Sequence, residues 1–197
     1  MMKKYLAEMV GTFVLTFAVA LSLTGHTALS TPLMAGLALG LVVYAVGSIS
    51  GAHINPAITV GLWSLKKIGG KEAVFYIVFQ FIGAFIALIL KGAFAPAVPL
   101  YVSSTWPVFF GEMVGAFFFA FGVAAVATTD KIPAAASGLV VGGSLFLGIS
   151  FASFLSNGIL NPAVALGIGS LSLAYLFGPP IGAILGMQLF AKLSEKK

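Results

Sequence analysis

No cysteine occurs in the chain, which excludes disulfides, thiolate metal ligands and thiol nucleophiles and leaves the redox compartment unread. Arginine is missing as well: all ten basic residues are lysine, so nothing here can grip an anion through a planar, five-donor guanidinium. Two histidines and five acids are too few to assemble acid–base or nucleophilic machinery within an apolar chain, which argues against an enzyme; no metal site and no cofactor is expected. Charge of either sign is scarce, 8% of 197 residues against about 25% in a soluble domain. What remains is apolar, at 60%.

That composition is an all-α membrane protein's. A spanning helix needs about 20 apolar residues. Runs of that length lie at Leu6–Thr24, Pro32–Ser50, Ala73–Leu90, Val108–Thr128, Ala134–Phe154 and Leu171–Phe190. The first carries Glu8 and is followed by no small-residue cleavage site, so it is expected to be a retained helix. With six spans and the N-terminus inside, every lysine except Lys91 falls on one side. That bias predicts a multi-pass protein with both termini cytoplasmic. The net charge of +5 therefore reports orientation, and no nucleic-acid partner is expected.

The chain also repeats itself. Glu8-Met-Val-Gly-Thr-Phe returns as Glu112-Met-Val-Gly-Ala-Phe, Asn55-Pro56-Ala57 as Asn161-Pro162-Ala163, and Ile82-Gly-Ala as Ile181-Gly-Ala, in the same order. Residues 1–91 form the first copy, 92–106 an extracellular connector and 107–197 the second copy. Three spans per copy is an odd number, so the second copy must be inverted. Inverted repeats place a site near the membrane midplane, marked by interrupted apolar segments in matching positions.

Ile58–Leu65 and Val164–Ser170, after the two triplets, are too short to cross and read as re-entrant half-helices. Asn is a strong N-cap and Pro suits the first helical position, so each Asn-Pro starts one. Non-helical backbone at membrane depth is tolerated only when buried in protein or lining a water-filled space. Residues 50–54 and 156–160 should face such a space, with their carbonyls and the amides of Asn55 and Asn161 offered to a passing neutral molecule. The two half-helix N-termini would meet there and disfavour cations. A single Asn-Pro would more simply cap a buried turn; the matched pair carries the stronger inference.

Through Ser50-Gly-Ala-His-Ile-Asn-Pro-Ala-Ile-Thr-Val, Gly158-Ile-Leu-Asn-Pro-Ala and the Glu-Met-Val-Gly helix openings, the sequence resembles the aquaporin, or major intrinsic protein, family over nearly its whole length. The resemblance implies a right-handed bundle of six transmembrane helices plus two half-helices, one pore per protomer and a homotetramer among membrane lipids. It further implies that Glu8 and Glu112 brace the pore loops, the alternative being interfacial charges, and that His53 is a structural, pore-facing residue.

Four positions form the family's outer filter, and by spacing they fall on Ala35, Ile149, Gly158 and Val164. The filter arginine of the family would stand at Val164. Without it, and with Ala35 and Gly158 small, the filter should be apolar and unusually wide, unless Ala35 and Val164 are packing residues instead. The sequence thus predicts a passive channel in the plasma or inner membrane for water and small uncharged solutes such as glycerol, urea or ammonia. Its alternatives are a channel mainly for a solute other than water and a poorly conducting or junctional relative.

Overall fold

A computed structural model describes residues 2–94, 100 and 102–195. Among these, eight helices form: α1 (Met2–Ser22), α2 (Thr31–Ser50), α3 (Pro56–Ser64), α4 (Gly70–Phe94), α5 (Trp106–Thr128), α6 (Ala134–Ala152), α7 (Pro162–Ile168) and α8 (Leu173–Ser194). Six are long and apolar enough to span a membrane. The other two, α3 and α7, have 9 and 7 residues. Both begin at Asn-Pro.

The observed ends differ from the apolar runs in an instructive way. Helix α1 starts at Met2 and α4 extends from Gly70 to Phe94. Lys3, Lys4, Lys71 and Glu72 are therefore helical, because charged residues near helix ends can carry their heads to the interface without interrupting backbone hydrogen bonds; Lys91 is helical too, but buried. The connector 92–106 is helical at both margins; its residues 95–99 and 101, like Lys196 and Lys197, lie outside the described residues. Helix α7 stops at Gly169, whose φ of +80° is a left-handed cap that glycine adopts without strain.

Among the described residues, the start of α1 and the end of α8 lie at one face: Lys4 of α1 meets Glu72 of α4 at 3.0 Å, and Gln188 of α8 donates to the Ser64 carbonyl at the end of α3. We call this the terminal face. Helices α1 and α4 pack together in the first half and α5 and α8 in the second, with α2 crossing α6 between the halves. The crossings are made close by glycine. At α2–α6, a Cβ on Gly36 would stand 2.7 Å from the Gly142 carbonyl oxygen and one on Gly40 2.8 Å from that of Gly138. Gly83 lies against the Met9 carbonyl and its repeat partner Gly182 against that of Met113, at distances no Cβ could share.

Large apolar side chains point outward along the spans: Leu41 is 68% exposed and Phe85 52%. Such a surface suits hydrocarbon, and the polar residues are turned inward. Glu8, Thr12, Gln80, Glu112 and Ser170 have no exposure at all. Without a hydrophobic drive between helices in lipid, close backbone packing and these interior polar contacts hold the bundle.

Gly182→Val should therefore displace α8 from α5, because the obstacle is backbone, and lower the detergent-solubilised melting temperature sharply. Gly143→Ala, where an added Cβ meets nothing within 4 Å, should leave it unchanged. Thermal unfolding monitored by size-exclusion chromatography checks both.

Candidate functional site

The site is built outward from two buried carboxyl groups. Glu8 Oε1 accepts hydrogen bonds from the Ser50 hydroxyl (2.6 Å) and the His53 N–H (3.0 Å), and Oε2 from the Ile54 N–H (2.6 Å) and the Gln80 amide (2.8 Å). Glu112 repeats the arrangement: Oε1 accepts from the Ser156 hydroxyl (2.7 Å) and the Ile159 N–H (3.0 Å), Oε2 from the Leu160 N–H (2.7 Å). Neither carboxyl has any exposure, so neither is an interfacial charge.

What they hold is strained. Ala52, Ile54, Gly158 and Leu160 have φ of +50°, +57°, +62° and +56°. The left-handed region costs an L-residue roughly 1–2 kcal/mol. Each N–H bonded to a carboxyl oxygen contributes about 1 kcal/mol net, more if the oxygen is charged, and would cost up to about 3 kcal/mol if buried unpaired. Two such bonds per loop offset two strained residues, Ala52 and Ile54, in the first loop and one, Leu160, in the second, where glycine at 158 takes the left-handed conformation without that cost.

Four further residues complete the bracing and were not singled out from sequence. The hydroxyls of Ser50 and Ser156 also accept the N–H two residues on, from Ala52 (3.1 Å) and Gly158 (3.0 Å). Tyr76 donates to the Ser50 carbonyl (2.7 Å), and Tyr175 accepts from the Asn157 N–H (3.0 Å). The signal was present: Ser50 and Ser156 share the offset of the triplets, and Tyr76 and Tyr175 that of Ile82 and Ile181.

At the centre the two loops exchange hydrogen bonds. Asn55 Oδ1 accepts from the Ala57 N–H (2.8 Å) and Asn161 Oδ1 from those of Ala163 (3.0 Å) and Val164 (3.3 Å), so each asparagine caps its own half-helix. Asn55 Nδ2 donates across to the Leu160 carbonyl (2.8 Å), and Asn161 Nδ2 to that of Ile54 (3.1 Å). The amides expected to serve a solute thus commit one N–H each to the opposite loop, leaving one. The carbonyls are depleted likewise, since those of Ser50, Ile54 and Leu160 are occupied. Among the described residues, the carbonyls of Gly158 and Ile159 have no protein partner.

Both asparagines open onto a cavity on the side away from the termini, and Ala35, Ile149, Gly158 and Val164 converge on it. Leu15, Val19, Leu39, Phe119, Leu145 and Ile168 form most of the remaining wall. The volume open to the centre of a water molecule is about 30 Å³, room for one or two waters. The cavity is apolar, but the small side chains at 35 and 158 do not make it broad, because leucines of three helices, Leu15, Leu39 and Leu145, lean in around them. A second hollow of about 620 Å³ opens at the terminal face beside Val43, Gly51, Val126 and Asp130.

His53 does not line this first cavity. Its Nδ1 lies 3.2 Å from the Thr59 hydroxyl, which donates to the Asn55 carbonyl (3.0 Å) and accepts from Gln80 (2.9 Å). With the one hydroxyl hydrogen so used, Thr59 can only accept from His53, which places the ring proton on Nδ1 and leaves a lone pair on Nε2. The ring packs edge-on to Tyr76 at 4.9 Å.

Two opposed half-helices, joined through their caps inside a six-span inverted repeat, define a membrane protein of the pore-forming class. A profile of the family described as Major intrinsic protein matches residues 1–190, and the chain belongs to that family. It is 32% identical to Aquaporin AqpM of Methanothermobacter marburgensis, with 98% of each chain covered. It is 34% identical to glycerol uptake facilitator protein-like 6 of Lactiplantibacillus plantarum, over 93% of this chain and 94% of that one. The fold matches the X-ray structure of the aquaglyceroporin from Plasmodium falciparum with a TM-score of 0.71 at 24% identity, covering 98% and 94% of the two chains.

Glu112→Ala would strand the N–H groups of Ile159 and Leu160 and should destabilise the protein by about 3 kcal/mol or more. Glu112→Gln, which keeps one acceptor oxygen, should fall between it and the parent. Tyr175→Phe should cost only about 1 kcal/mol. Denaturant titration in detergent ranks the three.

Proposed function

We propose that this chain is a passive channel for water and small uncharged solutes of the size of glycerol, urea or ammonia. The observation that carries the reading is the convergence of both capping asparagines and the four filter positions on one cavity. The cavity has a polar strip, formed by the spare N–H of Asn55 and Asn161 and the carbonyls of Gly158 and Ile159, which replaces part of the hydration a neutral solute sheds. The opposite wall is hydrocarbon. The chemistry is non-covalent and the driving force is the solute gradient.

The central barrier falls to Asn55-Pro56-Ala57 and Asn161-Pro162-Ala163, where the N-terminal ends of α3 and α7 meet and repel cations. The outer filter consists of Ala35, Ile149, Gly158 and Val164, and Glu8, Glu112 and His53 support the loops. Val164 stands where the family's arginine would, so proton and cation exclusion rests chiefly on the centre. By the lysine bias, the terminal face is cytoplasmic and the hollow beside Asp130 is the inner mouth. We place the protein as a homotetramer in the cell membrane, as the family resemblance implies.

The tightness of the outer cavity favours one second reading. An apolar constriction that holds one or two waters can dewet, which would make the protein a poor conductor or a structural member of the family.

Stopped-flow light scattering of proteoliposomes, challenged with sucrose, glycerol and urea gradients and carrying a pH dye, separates the two. Flux above empty liposomes supports the channel; its absence for every solute overturns it. Val164→Arg should lower glycerol flux about tenfold or more by filling the cavity, and unchanged flux would count against the filter assignment.

A further inference from the structure

Helix α3 ends in an unusual way. The N–H of Lys67 bonds to the Leu62 carbonyl and that of Lys66 to the Trp63 carbonyl, both at 2.9 Å, which closes the last turn in the pattern that normally places glycine in the left-handed position. Here that position is Lys66, at φ +59°. The turn throws Lys66 and Lys67 out beside Trp63, which is 54% exposed. Trp63 does not swing freely: its Nε1 would lie 3.5 Å from a Cβ on Gly70, so the indole edge rests on the start of α4.

Trp63, Lys66, Lys67, Ile68, Gly70 and Glu72 surround a hollow of about 380 Å³ on the terminal face, with Lys71 next in the chain. The one acid of this rim, Glu72, is already paired with Lys4. Among the described residues, Lys66, Lys67 and Lys71 have no ion pair. Two uncompensated ammonium groups, Lys66 and Lys67, thus border a cleft that the indole also lines, with Lys71 adjoining it in the chain, and Val74, 61% exposed, continues the same helix into the apolar belt.

We propose that this hollow is a binding site for the phosphate of an anionic membrane lipid. The lysines meet the headgroup, Trp63 sits at the glyceryl level where amphipathic rings favour the interface, and the acyl chain runs down α4 past Val74. A soluble phosphate would use the lysines alone and leave the indole and Val74 unexplained, so the lipid is the occupant. Juxtamembrane lysines each strengthen anionic-lipid association roughly fivefold.

The test uses the full chain in phosphatidylcholine vesicles with Trp106→Phe, so that Trp63 is the sole tryptophan. Lipids brominated along the acyl chain quench a nearby indole. Brominated phosphatidylglycerol should quench Trp63 at a mole fraction at least tenfold lower than brominated phosphatidylcholine. Lys66→Gln/Lys67→Gln/Lys71→Gln should abolish that preference while the elution profile stays that of the parent. Equal quenching by the two lipids would overturn the proposal, as would a preference that survives the triple substitution. Loss of the preference on adding millimolar glycerol phosphate would assign the site to a soluble anion and overturn it too. The readout is independent of conduction, so a non-conducting protein with lipid preference would sink the channel and keep this site.

Discussion

Irregular backbone cannot lie at the depth of a membrane unless its polar groups are answered from within. That constraint governs this molecule. The segments 51–55 and 157–161 have no ladder or helix of their own, and the groups that answer them come from four directions: a carboxyl from α1 or α5, a serine hydroxyl at the loop's start, a tyrosine from α4 or α8, and the amide of the opposite asparagine. Remove the carboxyl and the N–H groups of Ile54 and Leu160, both left-handed, lose their partner. With it, the asparagines are placed well enough to reach across and bind each other's loop. The half-helices, the outer cavity and the positions of Gly158 and Val164 all follow from that arrangement.

Much of this was legible in the sequence because it was written twice. Six spans followed from run length, inversion from three spans per copy, and the half-helix starts from the preference of Asn and Pro for adjoining positions. Val164 could be counted from Asn161, whose cap fixes the next turn. What could not be read was partner choice. Asn55 and Asn161 were expected to donate to a solute, and no local rule says that each amide reaches instead a carbonyl of the other loop, 105 and 107 residues away. The tightness of the cavity was hidden for a similar reason: it depends on how Leu15, Leu39 and Leu145 lean from different helices, which no spacing along one helix reveals.

The two halves share a plan and differ in polarity. Gln80 and Thr59 weave His53 and Glu8 into one network in the first half. The matching positions in the second are Pro179 and Ala165, and His53 is matched by Ile159. The first-half network is thus the more polar of the two, although Gln80 and Thr59 are fully buried and direct their hydrogen bonds to Glu8, Asn55 and each other.

The glycine seam of α2 and α6 has a consequence for ancestry. Gly36 and Gly40 meet Gly142 and Gly138 reciprocally, so each helix is both key and lock for the other. A lone three-span unit with such a seam could pair only with a second copy lying upside down beside it, which requires a polypeptide that inserts in both directions. The carboxyls, serines, tyrosines and triplets recur in the two halves, but the lysines do not: Lys66, Lys67 and Lys71 follow the first triplet, whereas no lysine lies between Asn161 and Lys192. Joining two units end to end fixes the direction of each by covalent linkage, and only then can charge be placed on one side without dismantling the pair.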